Sequence, residues 1–365
     1  MSDLDGQDFQ RILLIKPSSP GDIIHALPVL HGLRRRYPQA HLAWLVATPF
    51  VNLVEADPAL NEAIPFDRKR FGRLGRSLRV TRDFASFVAA LRAREFDLVI
   101  DLQGLFRSGF LARASAAPVR VGFAAAREMA WIFYTHKIPP ADPDVHAADK
   151  NYAVADMLGF ADEPMDFSIT VTDDYRRQAA ALLKESGFLP GQRYAVLVPA
   201  TRWATKCWAA ERYGRLAHLI RQRHYLDSIL VGGGDDVAAG EIAIAAADGT
   251  ARNLCGRTTL RQLAALIDRA AVVITADSTP MHLAAAMNRP LVALFGPTNP
   301  HRTGPHGRSR DVVQIDLPCS PCYLRKLSQC PHAHACMERL TIDSVAAAVA
   351  DRLRTTVEVK GSVAK

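Results

Sequence analysis

Three groups of residues in this sequence are of types and spacings that do chemistry, and the first is an acid. In "RILLIKPSSPGDIIHALPVLHGL" an apolar run ends in a short loop of Ser18, Ser19, Pro20 and Gly21, and Asp22 follows where a helix begins. A carboxylate at that point commonly caps its own helix. Aimed at a substrate instead, it is a general base that takes the proton of an acceptor hydroxyl. His25, one turn on, reads first as a core histidine and only second as a helper.

The second group suits an anion with a good leaving tendency. "VPATRWATKCWAAERY" follows another apolar run and offers the Thr201 hydroxyl, Arg202 and Lys206 just ahead of a helix starting near Ala209. A flexible ammonium there suits a diphosphate that gains charge as it departs, although a surface lysine is the commoner fate. Trp208 reads as packing. In "VITADSTPMHLAAAMNRPLVALFGPTNP" an apolar strand ends at Asp277, and Ser278 and Thr279 lead into a helix with Pro280 and His282 in its opening residues. Hydroxyl residues followed by Pro are helix-start signals, and such an N-terminus is an anion site. "GPTNP" closes the next strand on the same side. A plain structural cap explains the helix start but not the convergence of acid, hydroxyls and histidine. In "LCGRTTLRQL", Thr258 and Thr259 are base or ribose contacts or a helix cap.

The remaining candidates face an acceptor or a metal. "DLQGLFRSG" puts Asp101, Gln103 and Arg107 at a strand end, and Arg70, Arg73, Arg76, Arg79 and Arg82 recur at spacing three, a basic stripe if that stretch is helical. Such a stripe is usually a solvated face; here it is also a candidate hold for an anionic acceptor. Cys319, Cys322, Cys330 and Cys336 form C-x2-C-x7-C-x5-C, with His332 and His334 as substitute ligands. Four thiols so close suggest a structural tetrahedral site for Zn or Fe, against the alternative of free thiols.

The elements that must position these residues alternate. "RILLIK", "HLAWLVA", "FDLVIDLQG" and "RVGFA" read as strands, with helices near Ile23–Arg36, Leu105–Ala114 and Tyr152–Leu158, while "HKIPPADPDVHAADK" reads as loop. "YAVLVPA", "SILVGGG", "AAVVITAD" and "PLVALFGP" restart the theme after a helix in "YRRQAAALLKESGFLPGQ". The pattern predicts an α/β protein of two doubly wound, Rossmann-like domains, 1–178 and 179–365. The chemistry-bearing stretches fall at strand ends, where such sheets bind ligands. The tail "TVEVKGSVAK" is expected to fray.

Bulk properties narrow the class. A chain of 365 residues, 49% hydrophobic, with no apolar run near the roughly 20 residues of a membrane helix, is a globular protein without a spanning segment. The polar, acidic start lacks the features of a secretory signal, which places the protein in the cytoplasm, and six cysteines there argue against a disulfide scaffold. A net charge of +8 implies an anionic partner: nucleic acid, a membrane surface or a phosphorylated substrate. "LVGGGDD" lacks the third glycine of a dinucleotide fingerprint, which weakens a nicotinamide dehydrogenase.

Taken together, "KPSSPGDIIHALPVL", "DLQGLFRSG", "PATRWATKCW" and "DSTPMHLAAA" followed by "LFGPTNP" resemble glycosyltransferase family 9, the ADP-heptose:lipopolysaccharide heptosyltransferases, over nearly the whole chain. The resemblance implies the GT-B architecture, two Rossmann-like domains facing across a cleft. It also implies an inverting transfer of heptose from ADP-heptose to a sugar hydroxyl of the lipopolysaccharide inner core, with no metal in the chemistry. Asp22 matches the family's proposed base. Thr201 and Lys206 match the phosphate-holding residues, with Arg202 competing for the role of Lys206; Asp277, Ser278 and His282 match the donor element that also includes Thr279, and Thr258 lies near the adenine. Acceptor contacts fall on Ser19, Gly21, Gln103, Arg107, Arg70 and Arg73. Two departures stand out: Thr279 replaces a frequent glycine, and the Thr201–Lys206 spacing is one residue longer than in some members. The four-cysteine segment occurs in only part of the family, including branches that modify autotransporter proteins.

An anionic, lipid-borne acceptor implies peripheral docking on the inner face of the cytoplasmic membrane. The alternatives are a related transferase with another donor or a protein acceptor, and a non-catalytic nucleic-acid-binding protein. The latter lacks aromatic-rich basic stretches and zinc-finger spacing, so no nucleic-acid partner is expected.

Overall fold

The computed structural model describes residues 4–362, with side chains to Thr355; the side chains of the tail from Thr356 lie outside the described residues. The chain divides into two compact units, one ending at Thr170 and the other starting at Val171. The division falls earlier than the 178/179 expected. Helix Asp173–Glu185, capped by the Thr172 hydroxyl, is bound to the second unit through Gln178, which accepts from Gln262, and through Arg176 beside Asp268.

The first unit holds six parallel strands: β1 Arg11–Ile15, β2 His41–Ala47, β3 Glu62–Phe66, β4 Leu98–Asp101, β5 Val119–Phe123 and β6 His136–Ile138. Their order is β3-β2-β1-β4-β5-β6. The second unit repeats the order, with β7 Tyr194–Val198, β8 Asp227–Leu230, β9 Ala251–Asn253, β10 Val272–Ala276, β11 Leu291–Phe295 and β12 Val312–Gln314 arranged β12-β11-β10-β7-β8-β9. Read from its first strand, each sheet is a 3-2-1-4-5-6 Rossmann sheet, reversing direction between β1 and β4 and between β7 and β10.

The central strands are apolar because helices cover both faces. Ile12 through Ile15 and Val272 through Ala276 are all buried. Helix Ala210–His224 lies so close to helix Val237–Ala245 that a Cβ on Gly214 would stand 2.0 Å from the Ala243 carbonyl oxygen.

Two expectations change. The helix expected from Ile23 to Arg36 is two helices, Pro20–Ile24 and Leu27–Arg36, because Pro28 has no N–H to continue the ladder and instead sits in the first turn of a new helix. The stretch expected as loop contains β6, and the helix expected over Tyr152–Leu158 is two short ones, Ala147–Tyr152 and Ala155–Leu158, stopped by Gly159 at φ +75°.

The segment leaving the first unit is tied to helix Leu27–Arg36. Buried His31 meets the Asp57 carboxylate at 3.0 Å through Nε2 and the Asp166 carbonyl at 2.7 Å through Nδ1, and Arg35 pairs with Glu163. Burial alone would lower the His31 pKa, but hydrogen bonding and charge from Asp57, then Asp166, raise it. No described helix is long and apolar enough to cross a membrane.

Candidate active site

The carboxyl end of β1 is the first unit's switch point, and it carries the Asp22 loop. The Ser19 N–H and hydroxyl donate to Asp22 Oδ2 at 2.9 and 2.7 Å. Asp22, the third residue of helix Pro20–Ile24, therefore reaches back to cap it, as the bland reading required. That role uses one oxygen. Oδ1 accepts no hydrogen bond among the described residues and Asp22 is half-buried, so a carboxylate oxygen stays open to a substrate. Ser19 is the cap partner and Gly21 is buried beneath it. His25 is in the core, its ring edge-on to His146 at 5.0 Å.

Asp101, on β4, is not a substrate contact. It is fully buried, accepting from the Gln103 and Gly104 N–H groups through Oδ1 and from the Tyr134 hydroxyl at 2.7 Å through Oδ2. Burial pushes its pKa up against those hydrogen bonds. It shapes the turn that presents Gln103, whose Oε1 is buried without a partner. Gln103 and Arg107 line a cavity of about 330 Å³ with Ser18 and Arg68, and Arg68 donates to the Ser18 hydroxyl at 3.3 Å. The arginine stripe is not one helix face. Helix Arg68–Phe71 ends at Gly72 and helix Leu78–Arg92 starts after Ser77, so Arg73 and Arg76 lie between them, exposed, while Arg70 pairs with Asp83.

The second unit gathers its candidates at its own switch point, the ends of β7 and β10. Lys206 closes a single helical turn, Ala204–Lys206, and its Nζ donates to Asp277 Oδ2 at 2.7 Å, with the Trp203 ring 4.4 Å below. The Thr298 hydroxyl donates to the same oxygen at 2.8 Å. Asp277 thus holds the cation in place; its own charge disfavours direct contact with phosphate. An ammonium has three donors, so Lys206 keeps capacity for a diphosphate. Helix Thr279–Ala286 starts here, with His282 buried near its start. The Ser278 hydroxyl is turned to Thr275 Oγ1 at 3.0 Å and to the Ala276 carbonyl at 3.3 Å, while Thr279 is half-exposed. Thr201 is half-exposed and Arg202 exposed on the loop. Thr259 caps helix Leu260–Arg269 with Gln262, which leaves Thr258, half-exposed, as the contact candidate of that pair.

The four-cysteine segment clamps the Lys206 loop. The Thr205 hydroxyl donates to the Leu324 carbonyl, His334 Nε2 contacts the Thr205 carbonyl at 2.7 Å, and the Arg325 guanidinium lies 4.6 Å over Trp203 on the same ring that meets Lys206. One His334 nitrogen is thereby engaged. Cys336 is buried, Cys319 and Cys330 half-buried and Cys322 exposed. Burial, then Cys322, Cys330 and Cys319, push the Cys336 thiol up. The four thiols are near neighbours, but the described residues do not gather them into a ligand-like cluster.

Three contributors escaped the sequence reading. Lys16 is buried at the end of β1, its Nζ donating to the Leu102 carbonyl at 2.7 Å. Burial lowers its pKa, opposed by the charges of Asp22 and Asp101. Thr298, inside "GPTNP", holds Asp277, and Arg68 lines the first unit's cavity. A lysine ending an otherwise apolar strand was the available signal for Lys16.

Comparison with known proteins identifies the family and the fold. A sequence model of glycosyltransferase family 9 (heptosyltransferase) matches residues 84–333. Lipopolysaccharide heptosyltransferase 1 of Pseudomonas aeruginosa is 32% identical over 317 residues, covering 86% of this chain and 86% of its own. The lipopolysaccharide core heptosyltransferase OpsX of Haemophilus influenzae is 27% identical, covering 83% and 84%. Among solved structures, the E. coli heptosyltransferase WaaC with ADP-2-deoxy-2-fluoro heptose aligns at a TM-score of 0.74 and 25% identity, over 94% of this chain and 99% of that one. A glycosyl transferase family 9 protein from Veillonella parvula aligns at 0.81 and 23% identity, over 97% and 99%, a likeness of fold.

Proposed function

This chain belongs to glycosyltransferase family 9, the heptosyltransferases, and we propose that it moves heptose from ADP-heptose to a sugar hydroxyl of the lipopolysaccharide inner core. The observation that carries the reading is the division of labour between the two switch points: a carboxylate with a free oxygen on one, a held cation beside a helix N-terminus on the other. The relatives named above are lipopolysaccharide heptosyltransferases, and WaaC is a heptosyltransferase seen with an ADP-heptose analogue.

In this reaction Asp22 Oδ1 takes the acceptor hydroxyl's proton as that oxygen bonds to the anomeric carbon. The bond from that carbon to the diphosphate oxygen breaks, and attack from the opposite face inverts the centre. Lys206 and the N-terminus of helix Thr279–Ala286 take up the charge arriving on ADP, with Thr201 and Arg202 beside them and Thr258 toward the adenosine. On the acceptor side, Gln103 Oε1 accepts a sugar hydroxyl, and Arg68 and Arg107 meet acidic groups of the core. The +8 charge and the lipid-borne acceptor support peripheral work at the inner face of the cytoplasmic membrane.

Asp22→Asn keeps the cap to Ser19 and removes the base. It is expected to abolish transfer while ADP affinity, measured by calorimetry, stays near wild type. Parallel loss of both would make Asp22 structural and defeat the assignment. We also propose that Cys319, Cys322, Cys330 and Cys336 hold a structural Zn or Fe ion, supported by the C-x2-C-x7-C-x5-C spacing of four thiols in one short segment; binding would draw them closer than the structure places them. Elemental analysis of purified protein is expected to find about one ion per chain, lost in Cys336→Ser; four freely titrating thiols in the native protein would contradict it.

A further inference from the structure

Exposed large apolar side chains in the first unit are not scattered. All of those described lie in three short segments. Leu74 and Leu78 belong to the arginine-rich stretch, Phe106 and Phe110 to helix Phe106–Ala114, and Met129, Trp131 and Ile132 to the turn around Ala130–Phe133. Scattered exposed apolar residues are ordinary, but contiguous ones mark a surface that meets something.

The segments adjoin. Helix Phe106–Ala114 and the Ala130–Phe133 turn pack so tightly at Gly109 that a Cβ there would stand 2.7 Å from the Phe133 ring and 3.0 Å from the Ala130 carbonyl. Phe133 meets both Phe106 and Phe110, with centroids 5.2 and 6.4 Å apart, and Arg120 donates to its carbonyl at 2.8 Å. Phe84, on the helix that follows the arginines, stacks on Phe110 at 6.2 Å. Arg68 and Phe106 line the same cavity.

The charge on and around this face is one-sided. Lys137 Nζ sits 5.0 Å over the Trp131 ring, Arg107 and Arg113 project from the phenylalanine helix, and Arg73, Arg76, Arg79 and Arg82 are exposed on the neighbouring stretch. The acids in these segments are few, and two are engaged: Asp83 with Arg70, and Glu128 with the Phe106 N–H. Aromatic and aliphatic tips ringed by cations that snorkel over them are the makeup of an interfacial docking surface on anionic lipid. A protein partner would also bury such tips, but the breadth of uniform positive charge fits a sheet of anionic headgroups.

We propose that this face of the first unit docks on a bilayer containing anionic lipid, with Met129, Trp131 and Ile132 entering the headgroup region and the arginines lying on the phosphates. The proposal rests on the reading of a lipid-borne acceptor and adds the surface that brings the enzyme to it.

The test uses the full chain and phosphatidylcholine vesicles with or without phosphatidylglycerol. Wild type is expected to co-sediment with the anionic vesicles only, and Trp131→Ser with Ile132→Ser to weaken partitioning about tenfold with an unchanged circular dichroism spectrum. Lipid brominated in the acyl chain is expected to quench bound wild type more than Trp131→Phe, which still binds; Trp44 and Trp208 are buried and report little, and half-exposed Trp203, in the second unit, is common to both proteins. No anionic-vesicle binding, equal partitioning of wild type and the double variant, or equal quenching of wild type and Trp131→Phe would each overturn the proposal. So would a double variant that dissociates a dimer without affecting vesicle binding, since the face would then join two copies. Transfer to a soluble, deacylated acceptor is measured on the same samples. Its absence from wild type defeats the heptosyltransferase reading, whereas intact transfer with failed docking defeats only this surface.

Discussion

Asp22 gives Oδ2 to its helix while Oδ1 has no partner among the described residues, so the capping role is seen and leaves an oxygen for the proposed catalytic one. The same economy appears at Asp277, where one oxygen takes both Lys206 and Thr298. Lys206→Gln is therefore expected to lower kcat/KM by about a hundredfold to a thousandfold. Thr298→Val removes one hydrogen bond to the carboxylate that holds the cation and is expected to cost about tenfold. Steady-state kinetics against donor concentration check both; equal effects, or none, would contradict the arrangement. His31 supplies a pH signature of stability. Its folded pKa is raised, so its contribution is complete below the unfolded value of about 6.5 and fades as pH rises through the folded value. Urea melts are expected to show wild type losing its advantage over His31→Asn as pH climbs past that window; an advantage that grows with pH would reverse the sign. Asp22, Lys206 and Asp277 were legible in the sequence because each follows an apolar strand and precedes a helix. Lys16 and Thr298 were not, because burial of a lysine and the partner of a hydroxyl are properties of packing.

At the scale of elements, eight of the twelve strands were legible, and the other four are the four edges: β3, β6, β9 and β12. A central strand in a parallel sheet is covered on both faces and reads as an apolar run. An edge strand is short and partly exposed: β12 is half-buried throughout, and β6 and β9 span three residues each. The candidate residues Asp22, Lys206 and Asp277 follow central strands at the switch points, so the part of the fold that positions them was the legible part. Contacts between elements were beyond reach. Gly214→Ala is expected to destabilise the second unit by about 1–3 kcal/mol, because the new methyl meets a backbone carbonyl that cannot turn aside. Thermal unfolding checks it, and an unchanged midpoint would mean the two helices separate easily. The clamp of the cysteine segment on Thr205 likewise has no signature in the spacing of the cysteines. Thr205→Val is expected to raise the donor KM more than it lowers thermal stability, since Thr205 adjoins Lys206.

At the scale of the whole molecule, two sheets of identical strand order carry different chemistry at equivalent places. A Rossmann sheet offers a ligand position at its switch point and leaves the loop to decide what is held there. In the first unit the loop is "KPSSPGD", in which the two prolines lack an N–H, the Ser19 N–H is taken by Asp22 and the last residue is an acid; in the second it is a cation held by a buried acid. The arginine-rich stretch and the phenylalanine helix concentrate positive charge locally in the first unit, although residues 1–170 hold 20 Lys and Arg against 20 Asp and Glu, so the net +8 arises in the second unit. The measurement that tests this account most directly is a mass-spectrometric transfer assay with ADP-heptose and Kdo-lipid A or its mono-heptosylated form, run for wild type and Asp22→Asn. A single added heptose with wild type on one of the acceptors, and none with the variant although it still binds ADP, is the predicted result. A variant that transfers as well as wild type would contradict Asp22 as the base, and a wild type that transfers to neither acceptor would contradict the proposed reaction.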